Sequence, residues 1–302
     1  MSKAIARAVF LVALVSIASF VGNSALAQGS GIKLRTLLYS GRSNPQTLIT
    51  DPAEINTLRG FLVDLPATVD PSWPTLGFRG YLLLNNGIRS FPPEVRVFRG
   101  VIRIFDGKSL RFFIDVRGLE EYLRDRTGTN QNLKPPHQPS GKNGGTANRL
   151  PISGGEPPYE PDQWNDHDGI QDNNNCYNYA CNKMTGTFAQ PGRASGFTPE
   201  DLGCNEYNLA AESDGLVATD CDEGCDQCHY KVALVMDPGV DFHWYRQDDN
   251  GDWSHKPGET EATNLDDSFH PITDPRTADR GDYSDFCGCF CVNADPSQVT
   301  IN

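Results

Sequence analysis

The sequence predicts an α+β protein in two parts, and three observations carry that prediction. Short strand-like apolar runs share the first half with two helical segments. A stretch rich in Pro, Gly, Asn, Gln and Ser follows, from 127 to 164. All nine cysteines then lie after residue 175, at 176, 181, 204, 221, 225, 228, 287, 289 and 291. The expected organisation is a signal peptide over 1–27, a small α+β domain over 28–126, a linker over 127–164 and a cysteine-rich domain over 165–302.

The first residues place Lys3 and Arg7 ahead of an apolar run from Ala8 to Val21 and end in Ala-Leu-Ala before Gln28, the pattern of a secretory signal cut after Ala27. That run is shorter than the roughly 20 residues a spanning helix needs. The expectation is an exported, soluble chain, secreted or periplasmic. The formal charge is −13, and removing the signal takes away two cations and leaves −15. Such acidity argues against nucleic acid or an anionic membrane as the main partner.

In the first domain the strand-like runs are Ile32–Tyr39, Phe78–Leu84, Val95–Phe105 and Leu110–Val116. Asp51-Pro52 suits a helix N-cap followed by proline at the first helical position, which opens a helix over 51–63. Leu119, Tyr122 and Leu123 give helical spacing over 118–126. Asn85-Asn86-Gly87 and Asp106-Gly107 are turn signals, the latter joining two alternating strands as a hairpin. Nothing in this domain carries obvious chemistry. The linker has too many prolines and glycines for a core, although part of it is able to lie across the next domain as an extended strap.

In the second domain Tyr177, Ala180, Cys181, Met184 and Phe188 fall at the spacing of a helix with one buried stripe. Asparagines at 173–175 are candidates to cap it, which puts Cys176 in the first turn. A helix N-terminus stabilises a thiolate, and its free N–H groups, with Asn174 or Asn175 as a side-chain donor, are able to hold an oxyanion. The alternative is that Cys176 is one end of a disulfide. With nine cysteines, four bridges in one of 105 connectivities would leave one thiol over.

Tyr230–Met236 reads as a buried strand, DFHWYRQ as a second strand carrying His243, and DWSHKPG as a third carrying His255. Cysteine catalysis needs an imidazole to take the thiol proton and a polar group to orient it. A three-residue loop Asp249-Asn250-Gly251 would pair His255 with Tyr245 and set it on the face of His243, whereas a two-residue loop would turn it away. Asn264 and Asp266 are alternative orienting groups. The competing reading makes His243 a packed residue among Phe242, Trp244 and Tyr245, and His255 a surface residue beside Lys256.

The order of a cysteine opening a helix, a histidine on a strand and a polar residue on the next strand resembles the papain-like superfamily. NCYNYA, DFHWYRQ and WSHKPG resemble most the NlpC-type endopeptidases and related amidase domains that act on bacterial cell-wall peptides, over roughly residues 165 to 292. The resemblance implies a papain-like domain in which Cys176 is nucleophile, His243 base and His255 the third polar residue, acting on peptide or cell-wall substrate. Two departures are the cysteine density and the bulky Tyr177 and Asn178 after the nucleophile, where small residues are usual.

Other constellations are weighed as well. Cys221, Cys225, Cys228 and His229, with the CGCFC run at 287–291, have zinc-like spacing, but in an exported chain a disulfide knot tying 221–228 to the C-terminus is the stronger reading. Asp166, Asp168 and Asp172 surround a glycine as in acidic calcium loops without the full ligand series; a solvated turn capping the helix is the other reading. The expected function is a secreted cysteine hydrolase that needs no cofactor. The alternative is a catalytically inactive, disulfide-stabilised secreted binding or matrix protein.

Overall fold

The computed structural model describes residues 29–71, 73, 75–129, 150–165 and 169–302. The expected signal peptide, most of the linker, and Asp166 and Asp168 lie outside the described residues. Two antiparallel sheets with flanking helices make the chain α+β.

The N-terminal sheet has seven strands in the order β2-β1-β4-β5-β6-β7-β3. These are β1 (Gly31–Thr36), β2 (Gln46–Ile49), β3 (Ala67–Thr68), β4 (Tyr81–Asn86), β5 (Glu94–Phe98), β6 (Val101–Phe105) and β7 (Leu110–Ile114). The single run expected over 95–105 is a hairpin instead. Arg99 and Gly100 both take positive φ, 49° and 72°, and two left-handed residues fold two strands onto each other. Helices α1 (Pro52–Phe61) and α2 (Leu119–Thr127) cover one face. The Asp51 side chain accepts from Ala53 N at 3.1 Å, the cap that the Asp-Pro pair predicted. Ile55, Leu58, Leu119 and Leu123 pack there on Val95, Val97, Ile102 and Ile104.

The alternate residues of the same strands point the other way and are charged. Arg35, Glu94, Arg96 and Arg103 are all under 8% exposed, because the C-terminal half covers that face. Arg103 bonds Glu261 at 2.5 Å and Glu94 at 2.7 Å. Arg96 lies 3.8 Å from Glu261 and stacks on Trp73.

The C-terminal sheet has five strands in the order β11-β10-β9-β12-β8. They are β8 (Val217–Thr219), β9 (His229–Asp237), β10 (Asp241–Gln247), β11 (Trp253–His255) and β12 (Asp285–Asn293). Three short or medium helices precede the strands: α3 (Ile170–Asn173), α4 (Cys176–Ala180) and α5 (Cys204–Ser213). Helix α4 stops well before the stripe extrapolated to Phe188. Asn182 adopts a positive φ of 47° and Lys183 N bonds back to Asn178 O, so the chain turns away and Met184 is left 42% exposed.

Side-chain alternation gives this sheet two different faces. Val232, Leu234, Met236, Phe242, Trp244 and Phe290 pack with Cys176, Tyr177 and Tyr207 on one side. Ala233, Val235, Tyr245, Trp253 and Tyr283 form a second cluster on the other, and Leu150 closes it. Residues 150–164 therefore do run across the domain as a strap. Leu150 O accepts from Gln247 Nε2 at 2.9 Å, Pro157 O from Asp249 N at 3.1 Å, and Ser153 Oγ from Cys225 N at 2.7 Å. Gly155 lies so close to His229 that a Cβ would sit 2.6 Å from its carbonyl oxygen, so only glycine fits.

Candidate functional site

The residues singled out for chemistry meet around β10, and the strand's alternation decides which of them touch. Cys176 opens α4 as its spacing predicts, capped by Asn175, whose Oδ1 accepts from Tyr177 N and Asn178 N at 3.1 Å each. The rest of Asn175 is equally committed, since its Nδ2 donates to Gly41 O and Ala189 O at 2.7 Å each. The Asn175 side chain thus has no amide hydrogen left for an oxyanion. Cys176 itself is 0% exposed within the cluster of Phe242 and Trp244. Burial, and next the Asp241 carboxylate, push its thiol well above the usual range. The thiolate is the nucleophile, so this environment works against the activation expected at the start of a helix.

His243 faces the opposite side. Its ring packs on Tyr245, His255 and Tyr283 at centroid distances of 4.9, 4.9 and 5.7 Å. Tyr245 pairs with His255 in the β10–β11 hairpin, the register that the three-residue loop predicts. His255 Nε2 is 2.9 Å from Leu265 O, so that nitrogen donates and Nδ1 accepts. His243 Nε2 lies 2.7 Å from that Nδ1 and must be its donor, which leaves His243 Nδ1 as a buried acceptor with no partner. The structure thus brings His243 and His255 together and separates both from Cys176. Among the described residues no hydrogen bond joins the thiol to either imidazole.

The other orienting candidates serve local turns. Asp266 accepts from Ser268 N, His270 N and Asp279 N at 3.0, 2.9 and 3.0 Å. Asn264 O accepts from Ile272 N at 3.0 Å in the bridge beside β11. Asp172, the described member of the acidic trio, lies 3.6 Å from Arg35 and in this way ties α3 to the N-terminal sheet. Among the described residues no group of three or more His, Cys, Asp or Glu side chains is placed to hold a metal ion.

Several residues that organise this region carry no motif. Asp241 accepts from Ser40 N at 2.6 Å, Gly41 N at 3.2 Å and Arg42 N at 2.9 Å, and from Tyr283 Oη at 2.5 Å. Gly41 must be glycine, since a Cβ there would sit 2.5 Å from the Phe242 ring. Lys256, expected beside a surface histidine, is fully buried and donates to the carbonyls of Gln171, Asn174 and Gly258 at 2.6, 2.6 and 2.5 Å. Burial brings its ammonium down to about 8 even though Asp172 and Glu259 favour the charge. Asn44 bonds Glu259, closing the junction between the two halves.

The cysteines form three bridges rather than four: Cys204–Cys287, Cys221–Cys289 and Cys225–Cys291. Two of these tie the 221–225 loop to β12, the knot expected from spacing, and they consume cysteines that a zinc site would have used. Cys176, Cys181 and Cys228 are free, and only Cys228 is exposed. Sequence reasoning expected one spare thiol; the packing of α4 hides a second one beside Tyr230 and Tyr177.

Comparison with known proteins bears on the hydrolase expectation. Insoluble matrix shell protein 1 of Ruditapes philippinarum is 55% identical over 134 residues, which cover 44% of this chain and 88% of that relative. The chain belongs to the insoluble matrix shell protein 1 family. No protein-family model matches it, and no solved structure does. Membership of the insoluble matrix shell protein 1 family overturns the papain-like and NlpC-type resemblance, and with it the secreted cysteine hydrolase and its thiol-protease chemistry. Export itself stands: the bridges suit an oxidising compartment. Among the described residues no helix is long and apolar enough to cross a membrane.

Proposed function

We propose that the chain is a non-catalytic, disulfide-stabilised structural component of an extracellular matrix. The observation that carries this reading is the 55% identity to a protein named for an insoluble shell matrix, across 88% of its length. In this reading Cys176, His243 and His255 are structural: a packed thiol on one face of the C-terminal sheet and a hydrogen-bonded pair on the other. The cross-linked loop 221–225 and the ion-paired junction between the halves supply rigidity, and the partners are other matrix components.

The test is sequential extraction of the matrix of the source tissue, followed by detection with an antibody raised to the mature chain. The expected outcome is signal in the fraction that resists salt and mild denaturant. Recovery only from cells, or only from the freely soluble secretion, would overturn the proposal.

A further inference from the structure

We propose that a groove beside α1 in the N-terminal half docks the acidic 217–226 segment of a second copy of this chain, so that copies join head to tail. This gives the matrix reading above a partner and rests on it.

Charge is divided sharply along the chain. Residues 29–129 hold 14 Lys and Arg against 10 Asp and Glu, whereas residues 165–302 hold 7 against 26. Arg35, Arg79, Arg96 and Arg103 are buried and account for the cation excess of the first part, so attraction between copies rests on the strongly acidic second part meeting the cations that line the groove.

The groove has a volume of about 620 Å³. Leu62, Phe91, Pro92 and Phe113 line it together with Arg111 and with Arg59, whose guanidinium is fixed by bonds to Asn56 Oδ1 and Arg89 O at 2.7 and 2.6 Å. Arg117 lies beside the groove, bonded at 2.8 Å to the carbonyl of the lining residue Val63, while the acid Asp106 is held 3.3 Å from Arg111. The ligand that suits such a groove is an acidic segment with an apolar side chain. The chain's own acidic half is on the wrong side: on β6 Ile104 lines the groove, whereas Arg103 next to it points to the opposite face and meets Glu261. The occupant has to come from another molecule.

The second copy carries a matching element. Val217, 58% exposed, lies on β8, an edge strand paired on one side only. Exposed Asp220, Glu223 and Asp226 follow within nine residues of it. The Cys221–Cys289 and Cys225–Cys291 bridges hold this loop in one shape, so little ordering cost accompanies docking. Groove and loop are different surfaces, so the contact leaves one of each open on every dimer. The contact therefore repeats from copy to copy, into a ring where the rotation between copies closes and into a filament where it does not.

Sedimentation velocity on the mature full-length chain, with Cys228 capped by iodoacetamide, tests this at ~10 mM and ~500 mM salt, where the screening length falls from about 30 Å to a few Å. The expected result is concentration-dependent association in low salt that disappears in high salt. A variant with Arg59→Glu and Arg111→Glu, and another with Asp220→Lys and Glu223→Lys, should each self-associate about tenfold more weakly or less. An equimolar mixture of the two should recover association, since each reversed surface then meets an opposite charge. Val217→Arg, a single change on an exposed edge, should weaken association by itself. A wild-type chain that stays monomeric in low salt, or variants that associate as the wild type does, would overturn the docking site. Deposition in insoluble matrix by a chain that stays monomeric would discard the groove and leave the matrix function standing; charge-swappable association without deposition would do the reverse.

Discussion

His243 Nε2 lies 2.7 Å from His255 Nδ1 on the face of the C-terminal sheet that turns away from Cys176. A single strand thereby separates the thiol from the base that the motif order suggested for it. On β10, Phe242 and Trp244 reach toward the thiol, and His243 and Tyr245 reach away from it. Sequence order is indifferent to that distinction, because a shift of one residue moves a side chain through the sheet.

Acid should destabilise the protein through this pair. Burial, then the neighbouring His255 and Arg79, take His243 well below the usual range, and burial brings His255 down to about 4 against the pull of the Leu265 carbonyl. In the unfolded chain both would titrate near ~6.5. Between those values the unfolded state binds more protons, so stability falls as pH falls from about 6.5 towards 4. For His255 the difference is on the order of 3 kcal/mol. Calorimetry should show a lower Tm at pH 4.5 than at pH 7, with a shallower dependence in His255→Gln. An unchanged slope in that variant would rule the pair out as the acid-sensitive element.

Thiol labelling should single out Cys228. It is the exposed free cysteine, while Cys176 and Cys181 are buried and burial raises both thiols. Iodoacetamide on the native chain without reductant should modify Cys228 rapidly and the other two only after denaturant is added. Rapid native modification of Cys176 would contradict its burial, and peptide mapping reads the result directly.

How far the sequence reveals this molecule depends on whether the signal is local. The Asp51 cap, the Asp106-Gly107 hairpin, the strands around His243 and the register of His255 all follow from neighbouring residues, and they are present. Strand β12 was hidden because its CGCFC run reads as cysteine chemistry, although it is the partner of β9 along nearly its whole length. Helix α5 went unread because its buried face is small, Tyr207 with Ala210 and Ala211. Arg35, Arg96 and Arg103 look like the solvent side of alternating strands. Their burial is set by the 256–261 loop, more than 150 residues away in the chain, and no local pattern encodes that.

Removing the Asp241 carboxylate should open the seam between the halves at residues 40–42. Burial raises its pKa although four donors pull the other way, so the group is held by the fold at some cost. Asp241→Ala strands three backbone N–H groups and the Tyr283 hydroxyl, for a loss of ~3 kcal/mol or more. Asp241→Asn keeps an acceptor and should lose less. The urea midpoint reports the loss, and faster trypsin cleavage after Arg42 localises it; normal cleavage in the alanine variant would show that Gly41 is held by its packing on Phe242 and by the Asn175 and Gln190 amides on its carbonyl.

The Arg103–Glu261 pair should prove coupled, and unequally sensitive from its two ends. Arg103 is almost fully buried and neutralises Glu94 as well as Glu261, so Arg103→Ala leaves Glu94 in the interior without its cation, costing ~3–5 kcal/mol. Glu261 is one-third exposed, and its loss costs less, ~1–2 kcal/mol, since water screens what remains. Burial opposes the Glu261 charge, but Arg103 and Arg96 outweigh it and bring its carboxyl down to about 2, so the pair persists through mild acid. Arg96, 3.8 Å away, should take over part of the attraction once Arg103 is gone. A double-mutant cycle in urea should therefore return a coupling of ~1–2 kcal/mol rather than the full cost of either change. Additivity within ~0.3 kcal/mol would mean that the two halves are held by Asp241 and the Lys256 loop, and that this ion pair contributes only to the shape of the seam.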